Sequence, residues 1–333
     1  MPLPRDSQRI VIAGASSLLG AELKSLLEES RFAGWDFSLL DEEIAVGTLT
    51  EAAGEPAVIQ PVEEGSFSRA KFIFFAGSAA FTERNLPAAR ESGATVIDLS
   101  GAALNIQGAQ AWFAIDGVGY SADKNRTLYA VPSAAGLATA KLLDALGRAG
   151  LTHLSLIFFR PVSEAGRPGI EELEAQTTQL LSFQSTGQPV FDAQVAFNLL
   201  DRYGAASRED LQSVRARIRR EVSAAVGNSP VRPSIQVLHA PVFYGYTFVA
   251  DAELNSQLTK ENLIEICRKS GFTIDSDASS PLGNLSASGD SAIHLALPDG
   301  DPARPGTWWF WGAADNIRLP ATAAIKLAEK LVK

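Results

Sequence analysis

The stretch Arg9–Leu27, RIVIAGASSLLGAELKSLL, decides the fold class. A short apolar run, Arg9 to Ala13, stops at Gly14. Leu18, Leu19, Leu23, Leu26 and Leu27 then recur at the three-and-four spacing of one helix face. This predicts a strand, a tight turn and a helix. Gly14 and Gly20 stand where a dinucleotide-binding turn needs glycine, for the turn itself and for close helix–strand packing. Ser17 stands midway and puts a Cβ where a middle glycine lets pyrophosphate approach the backbone. Ser16 and Ser17 can instead offer hydroxyls to a phosphate, and a turn that binds nothing fits the same residues. Both readings stay open here. About twenty residues past Gly20 come Asp41, Glu42 and Glu43. An acid there suits a ribose 2′-hydroxyl and repels a 2′-phosphate, so any nucleotide bound is expected to be NAD rather than NADP.

Working outward, the pattern repeats. Strands are expected at Asp36–Leu40, Phe72–Phe75, Ala94–Leu99 and Tyr129–Val131, with a helix over Glu83–Ser92. Strands alternating with helical patterns predict an α/β fold with a parallel sheet covered on both faces. After Gly150 the texture changes. A long strand, Leu151–Phe159, precedes a loop at Gly166–Gly169 and a helix at Glu171–Phe183. Val195–Leu200 is a short apolar segment. A further helix starts at Ser207, with Asp210 completing a capping-box variant. Strands follow at Ile235–Leu238 and Val242–Asp251. Thr259 caps a helix closed by Gly271, strands follow at Ala292–Leu297 and Trp308–Trp311, and a last helix spans Ala321–Val332.

The bulk properties exclude several classes. The chain of 333 residues carries a net charge of −9, which speaks against nucleic acid or an anionic membrane as partner. No apolar run is long enough to span a bilayer. The start, MPLPRDSQR, lacks the apolar region of a secretion signal, so a cytoplasmic location is expected. One cysteine, Cys267, on the apolar side of its helix, excludes an internal disulfide framework. Three scattered histidines, His153, His239 and His294, speak against a metal site.

The segment Tyr129–Gly147, YAVPSAAGLATAKLLDALG, is again strand, turn and helix. Such a turn often presents a nucleophile at a helix N-terminus, where backbone N–H groups stabilise negative charge. This one holds Ser133, Ala134 and Ala135. At this point eight motifs align in order: GASSLLG (Gly14–Gly20), FIFFAGSAA (Phe72–Ala80), TVIDLSGA (Thr95–Ala102), VPSAAGLAT (Val131–Thr139), PVSEAGRPGIEEL (Pro161–Leu173), VAFNLLDRYG (Val195–Gly204), APVFYGYT (Ala240–Thr247) and ADNIRLPAT (Ala314–Thr322). Together they resemble the aspartate-β-semialdehyde dehydrogenase family over nearly the whole chain.

The resemblance implies a Rossmann-type domain over 1–132 and 314–333, rejoined by the C-terminal helix. It implies an α+β domain over 133–313 that carries the active site and the homodimer interface. The family interconverts aspartyl phosphate and aspartate semialdehyde with NADP. A cysteine thiolate is its nucleophile and a histidine its acid–base group. A glutamine orients the chemistry, and arginines hold carboxylate and phosphate. In this sequence the cysteine position holds Ala134 and the glutamine position Arg160. The substrate arginine is replaced by His239 and the histidine by Tyr246. A phosphate-binding arginine falls at Leu104 and a lysine at Gln212. The resemblance assigns Gly14, Gly20, Gly77 and Asn316 to cofactor positions; Ser17, Asp41 and Phe75 depart from them.

The expectation is therefore a family member whose dehydrogenase chemistry is gone and which acts by binding or regulation, with no catalytic residues. The alternatives are a working dehydrogenase by another route, or different chemistry in the same cleft using Arg160, Arg167, His239, Tyr244, Tyr246 and a Ser133–His239 pair. Each of these residues also fits a plain packing role. An arginine beside an apolar strand needs an anion, so Arg160 is expected to face Glu164, Glu172 or a small anionic ligand.

Overall fold

A computed structural model describes residues 8–42, 47, 49–52, 55–113, 122–226, 230–255, 258–277 and 279–332. Glu43 of the acidic turn lies outside them. The chain divides into two units, Met1–Ser133 with Pro320–Lys333, and Ala134–Leu319.

The first unit is built on β1 (Arg9–Ala13), β2 (Asp36–Asp41), β5 (Gln60–Pro61), β6 (Phe72–Phe75), β7 (Thr95–Asp98), β8 (Gln110–Ala111) and β9 (Leu128–Ala130). They form one sheet in the order β5-β2-β1-β6-β7-β9-β8. Every pairing in it is parallel. Ile10 to Ala13 and Phe72 to Phe75 are buried without alternation, as strands covered on both faces must be. A separate hairpin pairs β3 (Leu49–Ala52) with β4 (Glu55–Val58). Helix α1 (Leu18–Glu28) follows β1, and Ser17 caps it by accepting from the Gly20 N–H at 2.8 Å. Helix α2 (Ala79–Glu91) starts earlier than its apolar spacing suggests, because Ser78 supplies the cap.

The second unit contains α3 (Ala134–Gly147), β10 (Leu151–Arg160), α4 (Gly166–Leu181), α5 (Leu211–Val226), β11 (Ser234–His239), β12 (Tyr246–Leu254), α6 (Lys260–Lys269), β13 (Thr273–Asp275), α7 (Asn284–Ala287), β14 (Ile293–Ala296), β15 (Asp299–Gly300) and β16 (Thr307–Ala314). Its mixed sheet runs β11-β10-β12-β16-β14-β13, with β15 paired to β16. Here burial does alternate. Leu154, Leu156, Phe158 and Arg160 of β10 point inward, toward the face that α3 and α5 cover. Ser155, Ile157 and Phe159 point outward with the paired rows of β12 and β16. The helix α8 (Arg318–Leu331) closes the described chain.

Two expectations about helix starts are corrected. The Gly166–Gly169 segment is the first turn of α4 rather than a loop. Helix α5 starts at Leu211 rather than Ser207, because the Asp210 carboxylate accepts from Gln212 N and Ser213 N, both at 3.0 Å, and is itself the cap. The units divide after Ser133 and Leu319. Asp315 accepts from Gly289 N at 2.7 Å and from Ile317 and Arg318 N–H, which ties the segment after β16 to the second unit.

Gly14 has φ +91°, and a Cβ there would lie 2.2 Å from the Gly77 nitrogen. Gly14→Ala is therefore expected to cost more than about 2 kcal/mol in urea unfolding. A loss below about 0.5 kcal/mol would show that the turn does not need that approach.

Candidate functional site

The polar centre of the second unit is built from the ends of β10, β11 and β12. Arg160 ends β10 and pairs in register with His239, the last residue of β11. Its side chain is 2% exposed. One terminal nitrogen donates to Glu209 at 2.7 Å, and the other donates to the Tyr203 hydroxyl at 3.2 Å. Arg160 Nε is buried without a hydrogen-bond partner. The anion that this arginine requires is thus Glu209, neither Glu164 nor Glu172. Glu172 is committed elsewhere, accepting from Val190 N at 2.5 Å and from Gln176 at 3.0 Å.

The network continues in one direction. Tyr203 Oη lies 3.3 Å from His239 Nδ1, and His239 Nε2 lies 3.2 Å from the Val195 carbonyl. A carbonyl only accepts, so Nε2 carries the imidazole proton and Nδ1 accepts from Tyr203. Tyr203 in turn accepts from Arg160. Phe191 stacks its ring near both Tyr203 and His239, at 4.8 and 5.9 Å between centroids. Gln176 holds this loop by accepting from Val195 N at 2.7 Å and donating to Ala193 O at 3.0 Å.

Electrostatics agree with the geometry. Burial pushes His239 down to about 4, against the Val195 hydrogen bond, and the Arg160 charge lowers it further. His239 is therefore neutral at pH 7. Burial opposes the Arg160 charge, but Tyr203, Glu209, Tyr246 and Glu164 outweigh it and hold the guanidinium protonated. Burial first, then Glu164, raises Tyr246 well above a normal phenol. Neither His239, pushed down, nor Tyr246, pushed up, is poised to exchange a proton near neutrality.

The other positions are as follows. Ala134 opens α3 and is buried. Tyr246 donates to Glu164 at 3.3 Å. Asn316 donates to Ser163 and Glu164, both at 3.1 Å, and accepts from Gly245 N at 2.9 Å, so its amide is engaged on three sides within the second unit. Both His239 nitrogens are engaged by Tyr203 and Val195, which leaves neither as base for a serine such as Ser133. Leu104 packs on the first unit's core. Arg167 and Gln212 are exposed, and Tyr244 is partly so. Cys267 is buried, and burial pushes its thiol up to about 12. Among the described residues, no group of three or more His, Cys, Asp or Glu is placed to hold a metal ion.

In the first unit the turn donors are engaged internally. Gly14 N and Ala15 N donate to Leu40 O at 2.8 and 3.1 Å. Ser16 N donates to Asp41 at 2.7 Å. Ser17 Oγ donates to Ala76 O at 2.9 Å while accepting from Gly20 N. Gly77 closes beside Phe81, and Phe75 is core.

Two family models match this chain: the NAD-binding domain of semialdehyde dehydrogenase over residues 9–114, and its dimerisation domain over residues 142–319. The chain belongs to the semialdehyde dehydrogenase family. It is 28% identical to the USG-1 protein homolog of Azotobacter vinelandii, over 97% of both chains. It is 24% identical to aspartate-semialdehyde dehydrogenase 2 of Vibrio cholerae, again over 97% of both. Its fold matches a structure titled as a probable aspartate-semialdehyde dehydrogenase from Pseudomonas aeruginosa, with TM-score 0.87 and 26% identity, over 98% of this chain and 99% of that one.

Within this semialdehyde dehydrogenase fold, Tyr203 and Glu209 were not singled out by the sequence reading. Tyr203 lay in the VAFNLLDRYG motif and Glu209 three residues before Gln212. The unmet need of Arg160 for an anion was the available signal.

Removing either end of the Arg160–Glu209 pair is expected to have unequal effects in urea unfolding. Glu209→Ala strands a buried guanidinium and should cost about 3–5 kcal/mol. Arg160→Met leaves a carboxylate that is 26% exposed and regains water, so it should cost about 1–3 kcal/mol. Equal costs would contradict the pairing.

The depressed His239 sets an acid limb. Between pH 6.5 and about 4 the unfolded chain binds a proton that the folded one refuses. Stability is therefore complete above pH 6.5 and falls toward pH 4, by up to roughly 3 kcal/mol from this group. His239→Gln should flatten that limb in pH-dependent denaturation. An unchanged slope would show that His239 is not held neutral.

Proposed function

We propose that this protein is a homodimeric, non-catalytic member of its family, acting by binding or regulation. The observation that carries the reading is the Arg160–Glu209–Tyr203–His239 network. Arg160 and His239, which stand where the resemblance puts catalytic groups, are bonded to Glu209, Tyr203 and the Val195 carbonyl, and Ala134 offers no nucleophile. A thioester intermediate needs a soft nucleophile activated by a base. Alanine has no lone pair, and the nearby histidine is neutral with both nitrogens engaged. Residues that act as a catalytic unit fail together when several are replaced.

Given aspartate semialdehyde, phosphate and either NAD or NADP, the purified chain is expected to form no reduced cofactor above a protein-free control. Ala134→Cys alone should not restore turnover, because Arg160 and Tyr246 still fill the site. A rate that Arg160→Met abolishes would overturn the reading.

The dimer reading is supported by the outward face of the second unit's sheet. Ile157, Val249 and Trp311 form one cross-strand row, and Trp309 lies on the same face one row away. Ile157 and Trp309 are each 40% exposed and Trp311 36%. Aromatic and branched residues side by side on an exposed sheet face favour association. The matching family model is a dimerisation domain. Light scattering should give a dimer for the wild type and a folded monomer for Ile157→Lys with Trp309→Lys. A monomeric wild type would refute this.

A further inference from the structure

We propose that Asp41 is a built-in anion that closes the β1–α1 turn to 2′-phosphorylated dinucleotides, and that only a dinucleotide with a free 2′-hydroxyl enters. The inference rests on the Rossmann architecture of the first unit, and it is independent of what happened at Ala134.

The argument starts from where Asp41 ends. It is the last residue of β2, 8% exposed. One carboxylate oxygen accepts from Ser16 N at 2.7 Å, inside the turn, and the other accepts from Glu42 N at 2.8 Å. A turn of this kind normally directs backbone N–H groups at an incoming anion. Here the protein's own carboxylate holds one of those donors. With the Gly14, Ala15 and Ser17 contacts described above, these bonds fix the shape of the turn around the carboxylate.

The consequence depends on the ligand's chemistry. A ribose 2′-hydroxyl donates a hydrogen bond, so it can share the carboxylate without charge conflict. A 2′-phosphate only accepts at neutral pH and carries the same sign of charge as Asp41. Arg84 lies 3.8 Å from the Glu42 carboxylate and pairs with it. The residues present therefore do not fit NADP, whereas they admit NAD.

The test is titration calorimetry of the full chain with NAD and with NADP, repeated on Asp41→Asn and Asp41→Ser. Wild type is expected to bind NAD at least tenfold more tightly than NADP. Asp41→Asn retains an acceptor for Ser16 N and keeps the turn folded; it should narrow that ratio at least fivefold, chiefly by gaining NADP. Asp41→Ser supplies a second variant should the amide disturb folding, and circular dichroism checks both. Equal wild-type affinities, a ratio unchanged in both variants, or no NAD binding to wild type would each overturn the proposal. None of these outcomes bears on whether the semialdehyde is oxidised, so failure here is separable from failure of the non-catalytic reading.

Discussion

A guanidinium withdrawn from water must find its negative charge inside the protein, and Arg160 finds it on Glu209. That requirement organises the polar centre of the second unit. Glu209 precedes α5, so the ion pair ties the approach to that helix to the end of β10. Tyr203, reached by the other arm of the guanidinium, donates to Nδ1 of His239, whose tautomer the Val195 carbonyl sets. His239 then donates to the loop carrying Val195, which Gln176 and Glu172 hold from α4. One buried charge thus fixes the ends of two strands, one helix and one long loop. A buried pair of this kind contributes little net stability but is costly to break from one side. Its effect is on which arrangement is adopted.

The first unit follows a similar rule with opposite sign. There the fixed group is an anion, Asp41, and the groups it satisfies are backbone donors of the turn after β1. In both units a buried charged side chain is satisfied by groups of the protein itself. Close packing by itself accounts for the glycines: a Cβ on Gly20 would lie 2.2 Å from Gly14 O. The shape of this turn therefore follows from packing requirements.

The architecture was readable from the residues because its signals are local. Continuous apolar runs such as Ile10–Ala13 and Phe72–Phe75 mark doubly covered parallel strands, and the alternation in Leu151–Arg160 marks a sheet with one outward face. Helix starts were less readable. Ser207 and Asp210 both suit a cap, and only the hydrogen bonds to Gln212 and Ser213 decide between them. That the turn before α3 carries no cysteine was legible from the residues alone. The partner of Arg160 was not, since Glu209 lies 49 residues away and Glu164 is closer in sequence. Nor could sequence spacing show that Asn316 spends its amide on Ser163, Glu164 and Gly245.

The claim that Arg160, Glu209, Tyr203 and His239 form one internally bonded network is tested most directly by nitrogen-15 NMR of the His239 imidazole between pH 4 and 8. The account predicts a neutral ring with its proton on Nε2 at every pH above about 5, and titration only near 4. A ring that titrates close to 6.5, or that carries its proton on Nδ1, would mean that His239 is open to solvent or substrate and that the network does not close.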